Sequence, residues 1–335
     1  MKICICGGGA LGHTCAGFFL SNPHNQVNIY SGHPEQWSEY ISVQDCNGVT
    51  FSGYLNKVTN LPENTVKEQD IILLCLPGFL IQSTLLAIKP YIGDAVVGSI
   101  VSSTGFFFEA HSILSPNTKL FGFQRVPFIS RVKEYGKSAM ILGYKTQLNV
   151  AFENIADKES FRNILSELFH TRVSVLNSFY EAALSNSNPI LHPARLYSLF
   201  HNSEEVPFQN SIPFYSNWSD KSSRLLIDMD AEFFQLVNKL DIQNIQTLLD
   251  YYGCSNATTL TKKISTINAF KDIMSPMRKE NDKWLIDWES RYFIEDFPFG
   301  LKFIKELCDY HNIYAPNISK VYDWGITCLQ KYGKV

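Results

Sequence analysis

The chain has 335 residues, 45% apolar and 13% aromatic, with 29 Lys and Arg against 32 Asp and Glu. At roughly 150 residues per domain this length suggests about two domains. A net charge of −3 gives no electrostatic footprint for nucleic acid, and no apolar run nears the ~20 residues of a membrane-spanning helix.

Gly7, Gly8, Gly9 and His13 interrupt the apolar start before the ~7 residues of a signal-peptide core accumulate. No export signal is therefore expected. Eight cysteines with no Cys-x-x-Cys pair are too sparse for a disulfide scaffold, so a reducing, cytoplasmic setting is expected. No metal is expected.

Lys2–Cys6 reads as a strand, Ala10–Leu20 as a helix, Gln26–Tyr30 as a strand and Pro34–Tyr40 as helical. Asp70–Leu76 is a strand without period-2 alternation, the pattern of burial on both faces. Gly78–Ile88 follows as a helix and Ala95–Val101 as a strand. Strands alternating with helices imply a parallel sheet covered on both faces. Further on, Ala139–Leu142 and Leu148–Ala151 read as strands, Lys158–His170 as an amphipathic helix, and Arg172–Leu176 as a last strand of the same sheet.

After about residue 180 the composition changes. Leu226, Met229, Phe233, Leu236, Val237 and Leu240 recur at helical spacing within Ser223–Leu240. Gln243–Tyr252, Leu260–Met274 and Leu301–His311 continue in helical style. The expected division is residues 1–180 as an α/β unit and 181–335 as an all-helical one.

Gly7, Gly9 and Gly12 fit G-x-G-x-x-G between the first strand and its helix, the context that gives the pattern value. Gly7 permits the tight turn, Gly9 lets backbone approach a pyrophosphate, and Gly12 lets helix pack on strand. Ala10 and Leu11 open the helix whose free N–H groups would hold the phosphates. Pro77, where the Asp70–Leu76 strand ends, is counted with these cofactor positions. A glycine-rich turn with no ligand is the rival reading. The second strand ends in Ser31-Gly32-His33-Pro34, without the carboxylate that holds an NAD ribose. Ser31 and His33 could donate to a 2′-phosphate, so these residues lean to NADP over NAD, unless His33 is simply a solvated loop residue.

Two polar clusters stand in the second half. Asn188-Pro189 reads as a helix cap followed by proline, with His192 one turn on and Pro193 threatening the helix. Arg291, Glu295 and Asp296 sit among aromatics ahead of Phe297-Pro298-Phe299-Gly300. Arg291 could clamp a substrate carboxylate in bidentate fashion, and Asp296 could orient a histidine. The plainer alternative is an Arg–Asp salt bridge pinning a loop.

Together these segments resemble the opine dehydrogenase family, which includes octopine and nopaline dehydrogenases. The resemblance runs from the glycine loop, through Phe121-Gly122-Phe123-Gln124-Arg125-Val126-Pro127 and the Asn188 to Pro193 segment, to Arg291 and Asp296. It implies a Rossmann doubly wound parallel sheet followed by an all-helical second domain. It also implies condensation of a 2-oxo acid with an amino acid, the imine being reduced by NAD(P)H. Carried over, His192 is the acid/base, Asp296 its partner, and Asn188, Arg291 and Gln124 bind substrate. The chemistry suits these side chains: reduction needs a proton beside the hydride, and histidine exchanges one near neutrality.

Partners would be small molecules, without nucleic acid or membrane; a homodimer is compatible with this reading. A ketopantoate-type 2-oxo-acid reductase is the second reading, although no lysine lies in either cluster to donate its proton. An NADP-sensing protein without turnover is the third. Phe208, Phe214, Tyr215 and Trp218 either line a substrate pocket or pack under a long loop.

Overall fold

The computed structural model describes residues 1–334 and divides into compact units Met1–Ser185 and Asn186–Val335. In the first unit, six strands run parallel in one sheet. They are β1 (Lys2–Cys6), β2 (Gln26–Tyr30), β5 (Lys57–Thr59), β6 (Ile71–Leu74), β7 (Val96–Ser99) and β8 (Leu120–Phe123). Their spatial order, β5-β2-β1-β6-β7-β8, is the doubly wound order of dinucleotide-binding sheets. β11 (Gln147–Glu153) adds antiparallel to β8, and β12 (Arg172–Val175) adds parallel to β11 as the expected last strand. Helices α1 (Ala10–Leu20), α2 (Pro62–Thr65), α3 (Gly78–Ile88), α4 (Phe106–Ile113), α5 (Lys158–Leu168) and α6 (Phe179–Leu184) complete the unit. Separate apolar cores, one holding Ile3 and Ile5 and the other Cys4 and Cys6, reflect β1 projecting alternate side chains to both faces.

A four-stranded second sheet goes beyond the sequence expectation. β3 (Tyr40–Asp45), β4 (Thr50–Tyr54), β9 (Phe128–Glu134) and β10 (Ser138–Tyr144) pair in the order β4-β3-β10-β9. It explains why α1 is buried all round, with every residue from Gly12 to Leu20 out of solvent. Gly17 and Gly53 permit the approach, since a Cβ on them would lie 2.5 Å from Val43 and 2.7 Å from Leu20. The expected helix at Pro34–Tyr40 shrinks to a single turn, Pro34–Gln36. Trp37 turns extended, its indole N–H donating to Ser31 Oγ and its ring stacking on His13 at 4.2 Å.

The second unit contains α7 (Asn188–Phe200), α8 (Asp220–Lys239), α9 (Leu248–Tyr252), α10 (Ala257–Ser265), α11 (Arg291–Ile294), α12 (Lys302–Tyr310) and α13 (Pro316–Lys331). It also holds a hairpin, β13 (Met277–Glu280) with β14 (Lys283–Ile286), so the unit is helical but not entirely so. Asn281 and Asp282 both take positive φ, as a two-residue primed turn requires. Two helices are shorter than the periodicity suggests. Asp241 and Asn244, both at positive φ, hold the chain out of helix before Thr247 caps α9. In α10 an Asn256–Thr259 capping box fixes the start, and the helix stops at Ser265.

Candidate functional site

The glycine loop behaves as its spacing predicts. Gly7 takes φ +121°, and a Cβ there would meet Cys75 O at 2.6 Å. A Cβ on Gly12 would lie 2.1 Å from Gly7 O, so helix and loop touch through backbone. Gly9 is different: no atom lies within 4 Å of its missing Cβ. Gly9 also caps α1 without a side-chain hydrogen bond, leaving the first N–H groups for a ligand. The loop is thus open where a pyrophosphate would approach and closed where the fold needs contact.

A cavity of about 420 Å³ adjoins it, lined in part by Gly7, Gly8, Ser31, His33, Thr84 and Tyr135. Gly9, Ala10, Leu11, Gly12 and Pro77 do not line this cavity; Gly9 and Pro77 start α1 and α3 instead. Ser31 is buried and its Oγ accepts from the Trp37 indole and the His33 backbone N–H. His33 is exposed, with its Nδ1 3.7 Å from the Glu35 carboxylate. His13, fully buried, bridges Gly9 O at 3.0 Å through Nδ1 and accepts from Gly136 N–H at 2.6 Å through Nε2. Burial lowers its pKa, consistent with a neutral ring.

In the second unit, α7 runs unbroken through Pro193. Its cap is Ser187 and not Asn188, which occupies the first helical position with its N–H bonded to Asn186 Oδ1. One turn on, His192 is 8% exposed and central to a polar chain. Its Nδ1 lies 2.8 Å from Asp296 Oδ2, and its Nε2 lies 3.0 Å from Tyr215 Oη. Tyr292 and Phe214 meet the ring edge-on at 4.6 and 5.6 Å.

Asp296 is held by an unusual turn. Phe297–Leu301 is a single π-helical turn, a device that often re-aims residues at functional sites. Gly300 permits it, since a Cβ would meet the Pro189 ring at 2.9 Å, and Gly325 accommodates the Phe297 ring on the other side. Pro-x-Gly therefore fixes where the carboxylate points. Arg291 opens α11 and forms a two-pronged pair with Glu295, both hydrogen bonds 2.9 Å. The Arg–Asp salt bridge of the plainer alternative is replaced by this Arg–Glu pair, while Asp296 pairs with His192. The guanidinium side chain is still 80% exposed.

Gln124 follows β8 in the first unit. Its amide donates to Glu181 O at 3.3 Å and accepts from Asn149 Nδ2 at 2.9 Å, which fixes its orientation. Sequence reasoning misses three neighbours. Tyr215 reads there as lining or packing, not as a partner of His192. Arg195, one turn beyond His192, is 1% exposed and bonds the carbonyls of Phe214 and Asn217. Tyr135 lies over Gly8, where a Cβ would meet its hydroxyl at 2.3 Å. Helical spacing from His192 could have flagged Arg195; no local pattern marks the tyrosines. Among the described residues, no group of three His, Cys, Asp or Glu could hold a metal, and no helix is long and apolar enough to cross a membrane.

Residues 175–329 match the family model described as NAD/NADP octopine/nopaline dehydrogenase, alpha-helical domain. Tauropine dehydrogenase of Arabella iricolor is 27% identical over 364 residues, covering 98% of this chain and 91% of the relative. Octopine dehydrogenase solved with NADH and L-arginine superposes with TM-score 0.87 at 22% identity, covering 99% of this chain and 90% of that one. Yersinopine dehydrogenase with NADP⁺ bound gives TM-score 0.76 at 12% identity, covering 99% and 91%. The two structures establish the fold, a Rossmann-like unit followed by a helical one. With the family model on the helical unit and a curated relative along nearly its whole length, the chain is similar to the opine dehydrogenases, which are NAD(P)-dependent oxidoreductases.

Proposed function

We propose that the chain joins a 2-oxo acid to the amino group of an amino acid and reduces the resulting imine, with His192 as acid/base. The observation that carries the reading is the Asp296–His192 pair, 2.8 Å apart on a buried helix face. The carboxylate accepts a hydrogen bond from Nδ1–H, which fixes the tautomer and leaves Nε2 for proton exchange. As the amine adds to the carbonyl carbon, the oxygen must be protonated to leave as water. His192 supplies that proton.

Reduced nicotinamide held at the glycine loop supplies the hydride. Gly9 and the free N–H groups of α1, with Ala10 and Leu11 next along the helix, receive the pyrophosphate. Gly7 and Gly12 shape the turn, and Pro77 flanks it at the start of α3. Gln124 and Asn188 are substrate contacts in this reading. Arg291 takes a substrate carboxylate by sharing its guanidinium with Glu295 or leaving it, and its exposed side chain allows either.

For the cofactor, the lean to NADP loses support. Glu35 stands beside His33, and no Lys or Arg lines the cavity. A 2′-phosphate needs such cations, so we infer NADH as the working reductant. Eight unpaired cysteines support a reducing compartment, as in the cytoplasm.

The test is a matrix of 2-oxo acids against amino acids with NADH and NADPH. Oxidation is expected only when both substrates are present, with lower KM for NADH. Equal oxidation with a 2-oxo acid alone would favour the ketopantoate-type reading. His192→Ala should cut turnover about 100-fold or more while NADH affinity holds; normal turnover removes His192 from the chemistry.

A further inference from the structure

We propose that Tyr215 is a second catalytic residue, a phenol relay through which His192 passes its proton to substrate. This rests on the reading of His192 as the acid/base. An imidazole nitrogen has one in-plane lone pair, and with Nδ1 committed to Asp296 the only exchangeable position is Nε2. Tyr215 Oη occupies it at 3.0 Å. A substrate atom cannot bond Nε2 while the phenol does, so either the tyrosine moves aside or the proton travels through it.

The surroundings hold the tyrosine in place. Its ring stacks on Phe270 at 4.6 Å and lies parallel to Trp218 at 6.1 Å. The loop that carries it is tied down by Arg195, a buried cation that pairs with no carboxylate among the described residues. The guanidinium donates to Phe214 O at 2.9 Å, Asn217 O at 2.6 Å and Ser222 Oγ at 2.9 Å, and lies 5.2 Å from the Trp218 ring centre. Arg195 is thus a positioning residue, spanning both flanks of Tyr215 from one turn beyond His192. Burial also raises the Tyr215 pKa, which keeps the hydroxyl protonated and able to donate.

The step balances without a further reactant. The phenol O–H bond breaks toward the carbinol oxygen of the amine–carbonyl adduct. The Nε2–H proton passes to the phenol oxygen in the same motion. Water leaves, Tyr215 ends neutral and His192 ends as neutral imidazole. Two protons move where direct donation would move one.

Tyr215→Phe keeps the ring and removes only the hydroxyl. In single-turnover NADH oxidation the relay predicts a rate loss of about 100-fold with KM for both substrates little changed. It also predicts, in the unmodified protein, a curved dependence of the rate on D₂O fraction, the mark of two protons in flight. A Tyr215→Phe enzyme as fast as the native one or faster, or a linear dependence in the native enzyme, overturns the relay. If His192→Ala is inactive while Tyr215→Phe is normal, the relay alone fails. If both variants turn over normally, the underlying reading of His192 fails with it.

Discussion

The glycine loop and the His192 cluster serve one reaction in the proposed function but are made of different material. The loop is backbone: six consecutive residues, Gly7 to Gly12, whose chemistry lies in missing side chains and free N–H groups. The cluster is side chain: His192, Tyr215 and Asp296 come from three segments spread over 104 residues, joined by two hydrogen bonds. The first kind of site needs only local geometry and tolerates no added atom. The second needs a packed unit to bring distant groups together, so its weak points lie in the packing around it.

Gly9→Ala is the largest test of that contrast. Its φ of −79° suits alanine and the new methyl finds no atom within 4 Å, so stability should not change. The methyl would occupy the pyrophosphate approach, however. NADH affinity should fall about 100-fold, the worth of roughly 3 kcal/mol of charge-assisted hydrogen bonds. Fluorescence titration and thermal unfolding of one preparation read both quantities. Unchanged affinity would mean the phosphates bind elsewhere.

The same contrast explains what is legible in the sequence. β1, α1, β2 and α3 begin and end where the apolar pattern and glycines place them, because each is specified by residues within itself. Of the second sheet only β10 is read as a strand, at Ala139–Leu142; β3 escapes although Ile41 and Val43 alternate with polar neighbours, because α1 supplies a reason for such a strand only once the fold is known. His192 and Asp296 are paired through family resemblance, since nothing in a 104-residue separation announces a 2.8 Å contact. Tyr215 stands in the sequence only as an aromatic in a Pro-interrupted stretch. Its partner is decided by Arg195 folding the loop back, which no periodicity encodes.

Arg195→Met tests how far the cluster depends on its packing. Methionine fills part of the space but leaves the carbonyls of Phe214 and Asn217, otherwise bonded to the guanidinium, without that donor. Each orphaned buried acceptor costs about 1–3 kcal/mol, so a loss of about 3 kcal/mol is expected. Burial also holds the guanidinium pKa down, to about 10, a cost that methionine would not carry and that trims the loss. Chemical denaturation should show the destabilisation in the helical unit, with NADH affinity unaffected. An unchanged midpoint would mean that the Tyr215 loop is held by its aromatic stack alone.

The units also differ in how acid acts on them, and Asp230→Asn isolates the smaller effect. In the first unit, His13 is titrated down by burial. Its contribution is full above the unfolded value of about 6.5 and is lost as pH falls through the lower folded value. In the second, Asp230 on α8 is buried and accepts Leu248 N–H at 2.8 Å. Burial raises its carboxyl to about 6, with Asp250 adding to the shift. Between the unfolded value near ~4 and the folded one, the native state holds more protons. Stability from this group therefore falls as pH rises across that window and stays reduced above it. An asparagine in its place would keep an acceptor for Leu248 without the charge. Asp230→Asn should be more stable than the native chain by about 1–2 kcal/mol at pH 8 and indistinguishable at pH 4. Unfolding midpoints at the two pH values decide it: an equal gain at both would show that the aspartate costs stability through packing and not through its charge.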